Sequence, residues 1–216
     1  MAGGLDRVDA LQRAFEFIYK SETNGSYCEF GVYQGVSLLR ALQADEKWRK
    51  KTGRAHVKGF YGFDSFEGLP ALSGRDVLRD YDVFEGGQFS DTSVEKVSEL
   101  MNANGIAMEK IEFVRGFYSQ SLCDERVLDK FKDVKFAIVH IDCDLYSSAV
   151  SCLEFLYGRL TNGAVFLFDD WFCYRGHPDH GVRKAMSEWC EKYQMAVTEY
   201  FTYSWAGKAL IVNGGG

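Results

Sequence analysis

Four aspartates at the ends of two apolar runs are the residues of this chain best suited to chemistry. They follow the runs FAIVHI (136–141) and AVFLF (164–168): Asp142, Asp144, Asp169 and Asp170. Apolar runs of this length and composition are typical of buried strands. In a parallel sheet both runs point the same way, so we expect the four carboxylates to meet at one edge, where open α/β sheets bind ligands.

Crowding four carboxylates costs electrostatic repulsion unless a cation or a proton offsets it. Carboxylate oxygens, with no His or Cys at ligand spacing, select Mg²⁺, Mn²⁺ or Ca²⁺ over zinc. The alternative is that two of these acids cap helices and face water. The sequence therefore predicts a hard divalent cation at this edge, with a capping role as the competing interpretation.

A second pattern, EFGVYQG at residues 29–35, leads from a short strand into a helix. Gly31 and Gly35 allow the backbone to approach a ligand closely, and the helix N-terminus offers free N–H groups to an anion. Ser37 adds a hydroxyl, and Asp64 ends the next strand, where carboxylates bind the two hydroxyls of a ribose. The spacing is not GxGxxG, which disfavours pyrophosphate, and an ordinary strand-to-helix turn is the alternative.

The elements that must position these residues alternate between strand and helix. The predicted helices cover residues 5–20, 37–50, 92–104, 120–131, 147–160 and 177–193, and the predicted strands cover residues 27–30, 57–63, 111–114, 136–141 and 164–168. Two closing segments, 196–201 and 208–212, have no helix between them and predict an antiparallel hairpin at the sheet edge. Residues 65–91 predict a lid or acceptor loop. Residues 1–216 are predicted to form one domain, with residues 1–24 as an N-terminal helical region.

Composition excludes several classes of partner. The chain has 216 residues, a net charge of -6 and no basic stripe, which argues against nucleic acid and against anionic membranes as partners. It contains no apolar stretch of transmembrane length and no apolar core of a signal peptide. The six cysteines form no CxxC pair, which favours free thiols and a cytoplasmic location over disulfides or a thiolate zinc site.

Three segments carry a resemblance to a known family: GFDSFEGLP (62–70), HIDCDLYSS (140–148) and FDDW (168–171). The Glu29-x-Gly-x-x-x-Gly turn with Asp64 resembles class I methyltransferases that use S-adenosylmethionine. Together the segments resemble the macrocin O-methyltransferase family, which methylates sugar hydroxyls of antibiotics, over about residues 27–189. The first turn also resembles that of catechol O-methyltransferases, but residues 142–158 lack the lysine which those enzymes use near their first metal aspartate.

The resemblance implies an α/β, Rossmann-like class I methyltransferase fold. Its sheet would have seven mostly parallel strands, an antiparallel C-terminal hairpin, and helices on both faces. The implied cofactors are S-adenosylmethionine and Mg²⁺. The implied cofactor-binding residues are Glu29, Gly31, Tyr33, Gly35, Ser37, Asp64, Ser65, Gly116, Phe117 and Asp142. The implied metal ligands are Asp142, Asp169 and Asp170.

The resemblance also implies that Asp144 is the general base. If the strand continues past Ile141, Asp142 and Asp144 share a face, so that one can bind metal while its neighbour faces the acceptor. His177 and His180 follow Asp170 closely and are the alternative candidates for the base or for acceptor contacts.

These observations predict a cytoplasmic, Mg²⁺-dependent O-methyltransferase that acts on a hydroxyl of a small molecule, a sugar or glycosylated metabolite. A homodimer is the candidate assembly. The chain begins one helix before its first strand, which weighs against a macrolide acceptor. Two alternatives stay open at this point: a metal-dependent hydrolase whose acids activate water, and a non-catalytic Rossmann-like protein that binds the cofactor without turnover.

Overall fold

The computed structural model describes residues 5–214 as a seven-stranded sheet with helices on both faces. The strands are β1 (Gly25–Phe30), β2 (Val57–Asp64), β3 (Ile111–Arg115), β4 (Phe136–Ile141), β5 (Leu160–Phe168), β6 (Ala196–Tyr203) and β7 (Gly207–Asn213). The main helices are α1 (Arg7–Lys20), α2 (Val36–Thr52), α3 (Val94–Ala103), α4 (Tyr118–Ser121), α5 (Glu125–Lys130), α6 (Tyr146–Leu156) and α7 (Gly181–Tyr193). Residues 1–4 and 215–216, which the predicted domain includes, lie outside the described residues.

The strand order is β3-β2-β1-β4-β5-β7-β6. Strands β1 to β5 pair in parallel, and β7 is antiparallel to both β5 and β6. The predicted fold class, including the closing hairpin, is confirmed. Because the first five strands are parallel, their carboxyl ends lie at the same edge of the sheet.

Two apolar cores cover the two faces of the sheet. Helices α1, α2 and α3 pack on one face, and α5, α6 and α7 pack on the other. In β4 the alternation is direct, since Ile138 belongs to the first core and Val139 to the second. Every residue of β4 is buried, as expected for a strand in the interior of a parallel sheet.

Three predicted helices differ most from the structure in their bounds. The helix predicted at 120–131 is divided into α4 and α5, because Asp124 accepts a hydrogen bond from the backbone of Arg126 and begins a new helix. The helix predicted at 147–160 ends at Leu156, and β5 already begins at Leu160. Helix α7 begins at Gly181, four residues after its predicted start.

The predicted loop at 65–91 packs over the carboxyl edge of the sheet. Its apolar side chains join a third, small core: Leu69, Leu72, Leu78, Tyr81 and Phe84, against Leu145, Cys173, Tyr174 and Ala206. The buried Asp76 accepts a hydrogen bond from the backbone of Ser147 at 2.9 Å, which ties the loop to the start of α6. The loop is therefore an ordered cover; its opening as a lid stays a prediction.

Candidate active site

A cavity of about 540 Å³ opens at the carboxyl ends of β1, β2 and β4, beneath the loop of residues 65–91. Eight of the predicted site residues line it: Gly31, Tyr33, Asp64, Ser65, Phe117, Asp142, Asp144 and Asp170. Outside the loop of residues 65–91, seven further wall residues were not predicted: Arg7, Tyr118, Ser119, Cys143, Ser147, Ser148 and Ser151. Ser147 and Ser148 end the HIDCDLYSS motif and could have been found from it, whereas Arg7 had no sequence signal.

The turn after β1 must pass close to the end of β4. Gly31 has a φ of 95°, and a Cβ there would lie 1.7 Å from the carbonyl oxygen of Asp142. A side chain at this position is therefore excluded by both backbone conformation and space. The glycine brings the turn into the same cavity as Asp142, with Tyr33 beside it.

Asp64 holds this turn in place. Its Oδ2 accepts hydrogen bonds from the backbone of Val32 at 2.7 Å and of Tyr33 at 2.9 Å, and its Oδ1 accepts from Phe66 at 2.7 Å. A carboxylate offers about four acceptor sites, so one site is left for a ligand. Ribose binding by Asp64 stays a prediction, and the observed role of this side chain is to fix the turn.

Glu29 lies behind the cavity and is fully buried. Its carboxylate accepts hydrogen bonds from the hydroxyls of Tyr27 and of Ser37, the latter at 2.6 Å, and it faces His140 Nδ1 at 3.5 Å. Gly35 is the N-cap residue of α2, and it too lies outside the cavity walls given above. Gly116 precedes the wall residue Phe117, and its N–H donates to the Asp64 carbonyl oxygen at 2.9 Å.

The Asp144 backbone differs from the sequence expectation. Strand β4 ends at Ile141, and Asp144 has a left-handed φ of 62°, so the strand does not continue through the acids and that premise is wrong. The Asp144 N–H donates to Asp170 Oδ2 at 3.0 Å. The turn still places Asp142 and Asp144 in one cavity. Burial and the nearby carboxylates of Asp142 and Asp169 raise the pKa of Asp144 well above its usual range.

Asp169 is the centre of a buried polar cluster. Its Oδ1 accepts from His140 Nε2 at 2.9 Å and from the Tyr203 hydroxyl at 2.6 Å. Its Oδ2 forms an ion pair with Arg7, which also contacts Asp142 at 3.2 Å. Burial alone lowers the pKa of His140, but the negative charges of Asp169 and Glu29 outweigh it and raise that pKa to about 10. His140 is thus a hydrogen-bonded core histidine.

The predicted metal ligands fall into two groups. Asp142, Asp169 and His140 offer donor atoms within 4.8 Å of one another. Asp170 turns toward the Asp144 N–H and toward the Cys173 thiol, at 3.6 Å. The two carboxylates suit a hard cation such as Mg²⁺, so the donor chemistry fits the implied metal. Arg7, however, is paired with one oxygen of each of these two carboxylates, Asp142 Oδ2 and Asp169 Oδ2.

His177 and His180 lie together on the approach to α7. Their Nδ1 atoms are 3.2 Å apart, and the His180 ring stacks on Tyr174. Within residues 5–214, the cavity walls include neither histidine. Burial raises the pKa of Tyr174 above its usual range, so the Tyr174 phenol stays neutral. The two histidines therefore form a pair apart from the acids.

Comparison with known proteins decides the family. The family described as Macrocin-O-methyltransferase (TylF) matches residues 1–199. The chain belongs to this family. The resemblance drawn from the motifs is confirmed, and so is the prediction of an S-adenosylmethionine-dependent O-methyltransferase, in place of the hydrolase and non-catalytic alternatives.

Two curated relatives have sugar- or antibiotic-related names. The chain is 26% identical over 199 residues to "8-demethyl-8-(2,3-dimethoxy-alpha-L-rhamnosyl)-tetracenomycin-C 4'-O-methyltransferase" of Streptomyces olivaceus, a match that covers 86% of this chain and 70% of the relative. It is 26% identical over 180 residues to "Demethyldecarbamoylnovobiocin O-methyltransferase" of Streptomyces niveus, which covers 78% of this chain and 61% of that relative. The matched region is therefore only part of the length of each relative.

A solved structure, CalS11 (calicheamicin methyltransferase), has a TM-score of 0.72 to this chain at 21% sequence identity. The match covers 94% of this chain and 77% of CalS11, and it supports the fold. Among residues 5–214, none of the helices is both long and apolar enough to cross a membrane. The cytoplasmic location, the homodimer and the absence of nucleic-acid partners stay predictions.

Proposed function

We propose that this methyltransferase transfers the methyl group of S-adenosylmethionine to a hydroxyl of a sugar or of a glycosylated metabolite, in a reaction that depends on Mg²⁺. The observation that carries the proposal is one cavity whose walls hold both the glycine turn after β1 and the acids after β4. The names of the relatives support a sugar-bearing acceptor, since one is named for a rhamnosyl tetracenomycin.

The residues of the turn are suited to hold the donor. We infer that Gly31 and Tyr33 face its methionine end, that the free acceptor site of Asp64 takes a ribose hydroxyl, and that Phe117 packs against the adenine. Ser65 lines the cavity beside Asp64 and extends the polar wall. When bound, S-adenosylmethionine supplies an already activated methyl group, and a divalent cation makes a nearby hydroxyl more acidic.

The aspartates after β4 and β5 would bind the cation and accept the proton. Asp142 and Asp169 would hold the cation, with Asp170 as the third predicted ligand. Asp144 would accept the proton of the acceptor hydroxyl, because its carboxylate lines the cavity and no donor within residues 5–214 forms a hydrogen bond with it. The covering loop contributes Leu69, Pro70 and Phe89 to the walls, which favours exclusion of water from the reacting groups.

The test is transfer of a labelled methyl group from S-adenosylmethionine to a panel of rhamnosides and nucleotide-linked deoxysugars. Each reaction is run with excess EDTA and again with Mg²⁺ added back. We expect transfer to a sugar hydroxyl that EDTA abolishes and Mg²⁺ restores, while binding of S-adenosylhomocysteine, measured by calorimetry, survives chelation. Full transfer in EDTA would disprove the metal dependence, and transfer only to non-sugar phenols would disprove the acceptor class.

A further inference from the structure

An arginine from the N-terminal helix occupies the acid pair to which the cation is assigned. Arg7 Nη1 lies 3.2 Å from Asp142 Oδ2, and Nη2 forms an ion pair with Asp169 Oδ2. The guanidinium therefore bridges the ends of β4 and β5. Its own charge is permanent, because arginine does not lose its proton in proteins. Burial by itself lowers the pKa of Arg7, but the nearby carboxylates of Asp142 and Asp169 outweigh it and raise that pKa.

The fold of α1 places this arginine. Arg7 is the first residue of α1, directly after Asp6, whose side chain accepts a hydrogen bond from the Asp9 backbone in a capping box. The Ser204 N–H donates to the Leu5 carbonyl oxygen at 2.6 Å, which fixes the entry to the helix against the hairpin. Buried residues further along α1 hold the helix on the sheet.

A cation and Arg7 compete for the same oxygens. Oδ1 of Asp169 already accepts from His140 and from Tyr203, so Oδ2 is the oxygen with capacity left for a metal, and Arg7 is paired with it. Two positive charges on one carboxylate oxygen repel each other, and the repulsion is strong where water is excluded. Occupation by the cation and by the guanidinium is therefore mutually exclusive at this pair.

We propose that Arg7 is the resident counter-ion of Asp142 and Asp169 and must withdraw before a divalent cation binds them. This inference rests on the proposed Mg²⁺ dependence. The Arg7 side chain is 49% exposed, so it can turn into solvent while the buried face of α1 stays packed. Arg7 thereby sets the metal affinity of the protein and couples metal loading to the first turn of α1.

The experiment measures Mn²⁺ binding by electron paramagnetic resonance of the free ion, on the full chain without other ligands. Arg7→Met removes the charge and keeps a long side chain. If the state with Arg7 withdrawn is about 1–10% of molecules, removing the arginine tightens Mn²⁺ binding roughly 10–100-fold. Arg13→Met is the matched control, because Arg13 is an exposed arginine of the same helix that lies over the Phe201 ring.

Thermal unfolding supplies a second readout. Arg7→Met leaves two neighbouring acids without their cation, so we expect it to melt below the parent in EDTA and to gain more from Mn²⁺ than the parent does. Should Arg7→Met fail to fold, Arg7→Lys retains a charge but loses the bridging fork. We expect its Mn²⁺ affinity to lie between those of the parent and of an uncharged variant, hence above the parent's.

Equal Mn²⁺ affinity of the parent and of both Arg7 variants, together with Mg²⁺-dependent transfer, would overturn the role of Arg7 and leave the proposed function intact. Absence of Mn²⁺ binding in all variants, together with transfer that is insensitive to EDTA, would overturn the metal dependence and this inference with it. A tightening in Arg13→Met as large as in Arg7→Met would also overturn it, because the effect would then be one of net charge.

Discussion

The acids near the ends of β1 and β2 and the acids that follow β4 and β5 lie in different surroundings. Asp64 and Glu29 accept five hydrogen bonds between them, from backbone N–H groups and from two buried hydroxyls. After β4 and β5, acids are in excess over their partners, and the pKa of Asp144 and that of Asp170 are raised by burial and by neighbouring carboxylates.

The difference separates two uses of a carboxylate. An acid that is saturated with donors is fixed in position and acts by holding backbone, as Asp64 holds the turn at Val32 and Tyr33. An acid without donors, surrounded by like charge, has acceptor capacity left for a substrate proton or a cation. Substitutions of Asp64 and Glu29 should therefore affect binding and stability. Substitutions of the acids after β4 and β5 should affect turnover.

The largest effect is expected for Asp144→Asn. The change keeps the shape of the side chain and removes the proton acceptor, so kcat should fall roughly 10²–10⁴-fold. Affinity for S-adenosylhomocysteine should stay near the parent value, because Asp144 does not hold the turn. Steady-state kinetics and calorimetry on the same preparation check both parts, with the exposed Asp91→Asn as control. Turnover at the parent rate would remove Asp144 from the mechanism.

Asp64→Asn tests whether the Asp64 carboxylate holds the turn after β1. An amide cannot accept from all three N–H groups that Asp64 now satisfies, and each group left unpaired costs about 1–3 kcal/mol. We expect the affinity for S-adenosylhomocysteine to fall roughly 10- to 100-fold and the free energy of unfolding to fall with it. Calorimetry and urea denaturation measure the two quantities. A loss of affinity with full stability would instead indicate that Asp64 acts only through the ribose.

Glu29→Gln should lower stability more than catalysis. The two hydroxyls donate to different oxygens of Glu29, and an amide has only one oxygen, so one hydroxyl must reorient. The change also removes the negative charge that faces His140. We expect the free energy of unfolding to fall by about 1–3 kcal/mol. Urea denaturation checks this against Glu85→Gln, an exposed position on the covering loop. Unchanged stability would mean that the buried cluster tolerates a neutral residue.

The smallest effect is expected for His177→Ala and His180→Ala. Both side chains lie outside the cavity walls and contact each other, so each change should alter kcat/KM by no more than about twofold. Kinetics on the two single variants provide the measurement. A collapse of kcat in either variant, with Asp144→Asn active, would transfer the base role to that histidine.

Much of the fold was predictable because its signals are local. The apolar runs that end in acids are read from a few adjacent residues, and parallel pairing then brings their ends together without further information. The helix bounds were less predictable where capping decides them. Asp124 divides one predicted helix because its side chain accepts from a backbone N–H two residues on, a choice that competes closely with continuing the helix.

The sequence predicted which residues belong to the site better than it predicted the role of each residue. Asp64 was recognised as an acid at the end of a strand, but its three N–H partners come from two different turns that meet only in the folded protein. The expectation that the strand continues through Asp144 failed, because the turn takes a left-handed residue there and the Asp144 N–H is held by Asp170. Neither outcome has a local sequence signal.

The sequence by itself determined the order of strands and helices, the family, and the acids at the carboxyl edge, since each depends on residue type and short spacing. Only the tertiary structure decided which of those acids are paired. Arg7 is 135 residues from Asp142 along the chain, and it reaches that acid because the capped start of α1 lies against the closing hairpin. Long-range charge pairing follows from how whole elements dock, and no spacing rule in the sequence encodes it.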